Sequence, residues 1–177
     1  MQAPRKWNVN GSLSNSPSAQ TRWTGNWSYD RTEDGDYKRD FNGSFSLRPA
    51  PAWQVSFNPD YRRERSTRQY ITQMAGGRTE TYGGRYIFGH IERSTLLMQV
   101  RLGYTFKPDL TLDVYMEPFA ASGQFSRIGE LTASRARDLR FYGTDGTTIT
   151  RLADLSYRIT DGTTAFTLAN RDFNQHN

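Results

Sequence analysis

The chain has 177 residues, enough for one domain with a real core, yet only 35% are hydrophobic and the mean hydropathy is -0.80. It has no cysteine, which excludes a disulfide framework and a thiolate metal site and fits an oxidising envelope compartment. Its 23 Lys and Arg against 18 Asp and Glu give a formal charge of +5, which favours acidic partners or an anionic membrane surface.

Taken in chain order, the sequence opens on Met1–Trp7 with no apolar signal-peptide core. Trp7 already belongs to a strand pattern, so the expectation is a mature or cut piece of a longer exported chain. A true start at Met1 implies a cytoplasmic protein instead. No stretch approaches the roughly 20 apolar residues of a membrane-spanning helix. From Trp7 onward the pattern is strand after strand. Trp23, Gly25, Trp27 and Tyr29 alternate with polar residues, as do Tyr37, Phe41, Phe45 and Leu47, and then Trp53, Val55, Phe57 and Tyr61. Period-2 patterning puts each set on one side of a sheet.

About ten strands are expected, at roughly 6–16, 19–30, 37–48, 51–61, 67–74, 79–90, 94–106, 110–125, 147–159 and 163–168. Pro49-Ala50-Pro51 and Lys107-Pro108-Asp109 mark short turns. Asp34-Gly35, Gly76-Gly77 and Asp145-Gly146 mark longer ones, and Asp161-Gly162 a hairpin. The segment 126–146 reads as a less regular loop, with a short helix from Arg127 as the alternative. The expected fold is all-β: an antiparallel up-and-down meander, an open or truncated barrel-like sheet, as a single domain over 1–177. Strands near ten residues match tilted membrane strands, for which about 9–11 suffice.

The stretch LLMQVRLGYTFKPDLTLDVYMEPFAASGQFSRIGEL at 96–131 resembles a family of large bacterial envelope proteins. The features that carry it are Leu102-Gly103-Tyr104-Thr105-Phe106, Pro108-Asp109-Leu110, Glu117-Pro118-Phe119 and Ser122-Gly123. Arg85-Tyr86-Ile87-Phe88 and Asp172-Phe173-Asn174 fit as well. Those proteins have an N-terminal carbohydrate-binding-type domain and a long outer-membrane barrel of unassigned function. The resemblance implies a barrel-derived sheet. The carbohydrate-binding domain and the closing strands are missing, and a barrel without its last strands leaves unpaired backbone groups that lipid does not tolerate.

Chemistry-bearing residues are sparse. His90 is expected at a strand end facing water, and His176 at a frayed terminus. Gly76-Gly77 and Gly83-Gly84 lack the Lys and helix N-terminus of a phosphate loop. Asp113 and Glu117 share a strand face with Thr111 and Tyr115, which suits a wet surface better than acid–base catalysis. No metal, nucleotide or haem ligand set appears, so no cofactor and no enzymatic activity are expected.

Two features remain as candidate partner-binding residues. Arg62, Arg63, Arg65 and Arg68 form a basic run, expected as a solvated hairpin loop that steers docking to an acidic surface or anionic lipid. Nucleic-acid binding, which wants aromatics interleaved with the basic residues, is not expected; Tyr61 and Tyr70, which flank the run, give it only weak support. Trp23, Trp27, Phe41, Phe45, Trp53 and Phe57 form an aromatic face, expected to be buried against lipid, a partner or the chain's own core.

These features point to a structural accessory subunit docked on a larger membrane protein complex at the bacterial cell envelope, with the periplasmic face favoured. In kind this resembles the extrinsic β-rich subunit that braces a bacterial photosynthetic reaction-centre and light-harvesting complex. The alternative is a segment of an outer-membrane barrel involved in transport or glycan-related binding.

Overall fold

The computed structural model describes residues 4–177. The chain is almost entirely β. Its strands are β1 Lys6–Ser14, β2 Arg22–Thr32, β3 Tyr37–Leu47, β4 Trp53–Ala75, β5 Gly84–Lys107 and β6 Leu110–Met116. There follow β7 Phe119–Leu131, β8 Leu139–Phe141, β9 Thr147–Arg151, β10 Tyr157–Asp161, β11 Thr164–Leu168 and β12 Phe173–His176. A single 3-10 turn, Thr79–Thr81, lies between β4 and β5.

Nine strands form one sheet in the order β1-β2-β3-β4-β5-β7-β12, with β6 also on β5 and β8 on β7; β11-β10-β9 form a second sheet. The all-β antiparallel meander is therefore as expected through β5. Among the described residues β1 pairs with β2 alone, so the sheet is open rather than closed into a barrel.

Several boundaries differ for identifiable reasons. The expected break at 62–66 does not exist, because β4 runs on to Ala75. Tyr61–Ala75 contains no Gly, Pro, Asn or Asp, the residues that punctuate strands. The break expected near 91–93 is likewise absent from β5. Conversely, the expected strand 110–125 is divided at Glu117-Pro118, since Pro cannot donate to the ladder. The segment 126–146 holds the end of β7, the three-residue β8 and turns. The expected glycine turns are present: Gly35, Gly76, Gly146 and Gly162 all have positive φ.

The chain forms two compact units. Unit 1 comprises 1–65, 93–122 and 174–177, and unit 2 comprises 66–92 and 123–173. Unit 1 is a single layer. None of its described residues is buried. Cross-strand register is regular: Trp27 sits between Gly11 on β1 and Phe41 on β3, and Phe41 in turn opposes Tyr61. Unit 2 contains every buried residue of the described chain. There Ile87, Ile128, Tyr142, Ile159 and Leu168 form a core, with Ile71, Met74, Ile149, Tyr157 and Phe166 packed on it. It joins residues of the large sheet to residues of the three-stranded one, the two-layer arrangement that sheets need for a core.

Candidate interaction face

Alternation sorts the strands of unit 1 into two faces. Odd positions of β1 to β4 carry Trp7, Val9, Leu13, Trp23, Trp27, Tyr29, Phe41, Phe45, Trp53 and Phe57. The same face continues on even positions of β5 and β6. The Trp53 ring packs tilted against that of Tyr104 with centroids 4.4 Å apart, and Tyr104 pairs with Leu112, Leu102 with Val114 and Val100 with Met116. We call this face A.

Opposite lies face B, which is polar throughout the unit 1 portions of β1 to β4. Ser12 Oγ donates to Asn26 Oδ1 (2.7 Å), and Asn26 Nδ2 donates to Asn42 Oδ1 (2.8 Å). Asn8 Nδ2 donates to Asp30 Oδ1 (3.1 Å). Lys6 pairs with Asp30 at 3.0 Å, and Asp40 takes both Lys38 (2.9 Å) and Arg62 (2.6 Å). Burial raises the Asp40 carboxyl, but the hydrogen bonds from Arg62 and Lys38 outweigh it and hold it below the usual carboxylate range.

Face A is not buried by the chain itself, so of the three expected covers the chain's own core is removed. Trp27 is 46% exposed, Phe41 48% and Trp53 40%. Trp23 and Phe45 are also exposed, and Phe57 is half-buried. Cross-strand neighbours cover the flanks of each ring, as in Phe45 against Phe57 at 5.9 Å, but no second layer covers the tops. Connected apolar surface of this kind on a soluble protein marks an interaction site. The aromatic residues named from the sequence do share one face. Strands β5 and β6 extend it with aliphatic residues that alternation in β2 to β4 does not reveal.

The basic run does not form one patch. It lies within β4, not in a hairpin loop, so its side chains alternate. Arg62 is on face B with Asp40. Arg63 and Arg65 are on face A, opposite Arg39 and Tyr37. Arg68 belongs to unit 2, where it donates to the carbonyls of Arg137 (2.8 Å) and Ala136, with its guanidinium 5.8 Å from the Phe88 ring. Face A also carries Arg31 and Arg39, the latter held between the rings of Tyr29 (5.3 Å) and Tyr37 (5.2 Å).

His90 is a second correction. It is buried inside β5, edge-on to Phe141 at 5.5 Å, rather than at a wet strand end. His176 is exposed in β12. Asp113 and Tyr115 lie together on face B, and the Tyr115 hydroxyl donates to Glu117. They border an open groove of about 440 Å³ with Gln54, Ser56, Arg101 and Gly103.

A charged cluster in unit 2 has no forewarning in the sequence pattern. Arg85, 7% exposed, pairs with Glu130 (3.0 Å) and Asp161 (3.1 Å). Arg140 pairs with Asp161 (3.0 Å) and Glu130 (3.4 Å). The Tyr142 hydroxyl donates to Glu130 Oε2 at 3.0 Å, and burial pushes that hydroxyl's pKa up. Two cations neutralise two carboxylates, and β5, β7, β8 and β10 are tied through them. The cluster is balanced and internally satisfied, which suits structure rather than a reaction. Among the described residues no group of three or more His, Asp or Glu is arranged to hold a metal ion, and no helix is long and apolar enough to cross a membrane.

Comparison with protein-family models, with curated proteins and with solved structures returned no match to this chain.

Proposed function

We propose that this chain is a non-enzymatic structural subunit that attaches by face A to a larger membrane protein assembly of the bacterial cell envelope and stabilises it. A photosynthetic reaction-centre and light-harvesting complex is the assembly that the resemblance in kind points to. The supporting observation is the exposed aromatic face of unit 1 with no layer over it. A ring of Trp or Phe size that is about two-fifths exposed has some 80–100 Å² left to bury, about 2 kcal/mol each. The five exposed rings of the set, Trp23, Trp27, Phe41, Phe45 and Trp53, supply about 10 kcal/mol, against an association cost of about 4–15 kcal/mol. Attachment therefore requires most of the face to engage at once, which suits a broad, fixed docking surface. Arg39, Arg63 and Arg65 on the same face add electrostatic selection for an acidic counterpart.

The test is isolation from native membranes in mild detergent, with intact mass and co-purifying bands recorded. Co-isolation with a multi-subunit membrane complex, lost when Trp27 and Phe45 are both changed to Ala, supports the reading. Recovery as a partner-free soluble monomer with a sharp thermal transition sinks it.

A second reading has one observation in its favour. Strands β1, β2 and β3 are 9, 11 and 11 residues long, apolar on one face and polar on the other, as outer-membrane strands are. Under it face A meets lipid and further strands close the sheet. Recovery of a longer product carrying those strands would favour this reading.

A further inference from the structure

Strand β1 has a neighbour on one side only among the described residues, and all nine of its residues pair with β2 without a break in register. Glu33 N–H donates to the Arg5 carbonyl (2.9 Å) and Asn15 N–H to the Trp23 carbonyl (3.2 Å), so the odd positions bond inward. Bonding alternates along an antiparallel ladder. Lys6, Asn8, Asn10, Ser12 and Ser14 therefore aim their N–H and C=O groups away from the sheet. Proteins usually blunt such an edge with Pro, a bulge or charge. β1, KWNVNGSLS, has no Pro and no bulge, and its single charge, Lys6, is engaged by Asp30 at 3.0 Å. Eight of its nine residues are exposed.

We propose that a second copy of this chain occupies this edge, its β1 antiparallel to the first about a two-fold axis normal to the sheet. The register of greatest overlap sets Asn10 on the axis, opposite Asn10 of the copy. Asn8 then faces Ser12, Trp7 faces Leu13, Val9 faces Gly11 and Lys6 faces Ser14. Each apolar residue meets the apolar face and each polar residue the polar face, no like charges are opposed, and roughly ten backbone hydrogen bonds form. Gly11 leaves no hole opposite Val9, because the Trp27 indole lies over it; a Cβ at Gly11 would sit 2.5 Å from Trp27 Nε1. The sequence of β1 is thus self-complementary, as an isologous contact requires. A copy stacked face to face would instead bring a second set of Arg31, Arg39, Arg63 and Arg65 onto a face whose β1–β4 positions carry no carboxylate. Edge pairing does not rest on the docking reading: it leaves face A open and doubles its width.

Sedimentation equilibrium of the full chain across a concentration series is the first arm, with a mass of twice 20.3 kDa expected. Asn10→Lys puts like charges on the axis, and Asn10→Pro removes an N–H that β2 does not use; both are expected to yield monomer. The second arm is oxidation of Asn10→Cys in a chain that has no other cysteine. The Cα atoms at the axis are about 5.5 Å apart, within disulfide reach. A covalent dimer is expected there and none from Ser46→Cys in β3. If far-UV circular dichroism shows that either Asn10 variant is unfolded, the cysteine arm alone decides. A monomeric wild type at every concentration overturns the proposal. So do a dimer unchanged in both Asn10 variants, an open-ended series of masses, or equal cross-linking at Ser46. Attachment of the Asn10→Lys variant to native membranes tests the docking reading separately.

Discussion

Strands β4, β5, β7 and β12 each have residues in both unit 1 and unit 2, yet each unit is stabilised internally by different forces. In unit 2 two sheets enclose five buried core residues and a neutralised charge cluster. In unit 1 a single layer has hydrogen-bond ladders, cross-strand ring contacts and polar side-chain ladders, but none of its described residues is buried. An alternating strand does not by itself make a core. Alternation creates one apolar face, and a core forms only where another layer meets it. Unit 2 supplies that layer from its own chain. Unit 1 has no such layer over its described residues.

This contrast predicts a graded set of responses. The largest belongs to Glu130→Ala, which leaves two cations, Arg85 and Arg140, with one carboxylate between them, Asp161, in a nearly dry site. Unit 2 should lose about 3–5 kcal/mol, read by hydrogen exchange of β5, β7 and β10 amides. Ile159→Ala, at a fully buried position, should cost about 2–5 kcal/mol by the same readout. A loss below about 1 kcal/mol at both sites would remove the distinction between the units.

Acid sharpens the same contrast. The hydrogen bond from Arg140 holds the Asp161 carboxyl below its ordinary 3.8, with burial opposing and Arg85 assisting. A carboxylate lowered on folding contributes stability that is fully present above its unfolded value and is lost as pH falls through its folded value. Unit 2 should therefore weaken progressively below about pH 4, and Asp161→Asn should flatten that dependence.

At the small end stands Trp27→Ala. With nearly half of the ring already in water, its loss from the isolated chain should be about 1–2 kcal/mol, well short of the roughly 3–5 kcal/mol of a buried aromatic. Asn26→Ala, on the exposed polar ladder, should change stability by less than about 0.5 kcal/mol. A large loss at Trp27 in denaturant titrations would mean that face A is covered.

The fold class was legible because the signal is local. Period-2 alternation from Trp23 to Tyr61 and the Asp-Gly and Pro turns place β2, β3 and the start of β4 within a few residues. The long strands were not, because a run of charge such as Arg62–Arg68 reads as a loop even where it lacks any turn residue. In the sheet its charges find partners across strands, as Arg62 finds Asp40. The aromatic set on face A was also legible, but whether anything covers it is a tertiary fact that alternation does not encode. The cluster of Arg85, Glu130, Arg140 and Asp161 was not legible at all: it joins positions far apart in sequence, and Asp161 has the look of an ordinary turn residue.

All four tryptophans, Trp7, Trp23, Trp27 and Trp53, lie in unit 1 at odd strand positions of face A, so their emission reports on that face alone. Acrylamide quenching of tryptophan fluorescence, measured on the free chain and after binding to native membranes, tests the central claim directly. The account predicts red-shifted, readily quenched emission from the free chain, and a blue shift with protection from quenching once it is bound. Blue, quench-resistant emission from the free chain, or emission unchanged on binding, would contradict it.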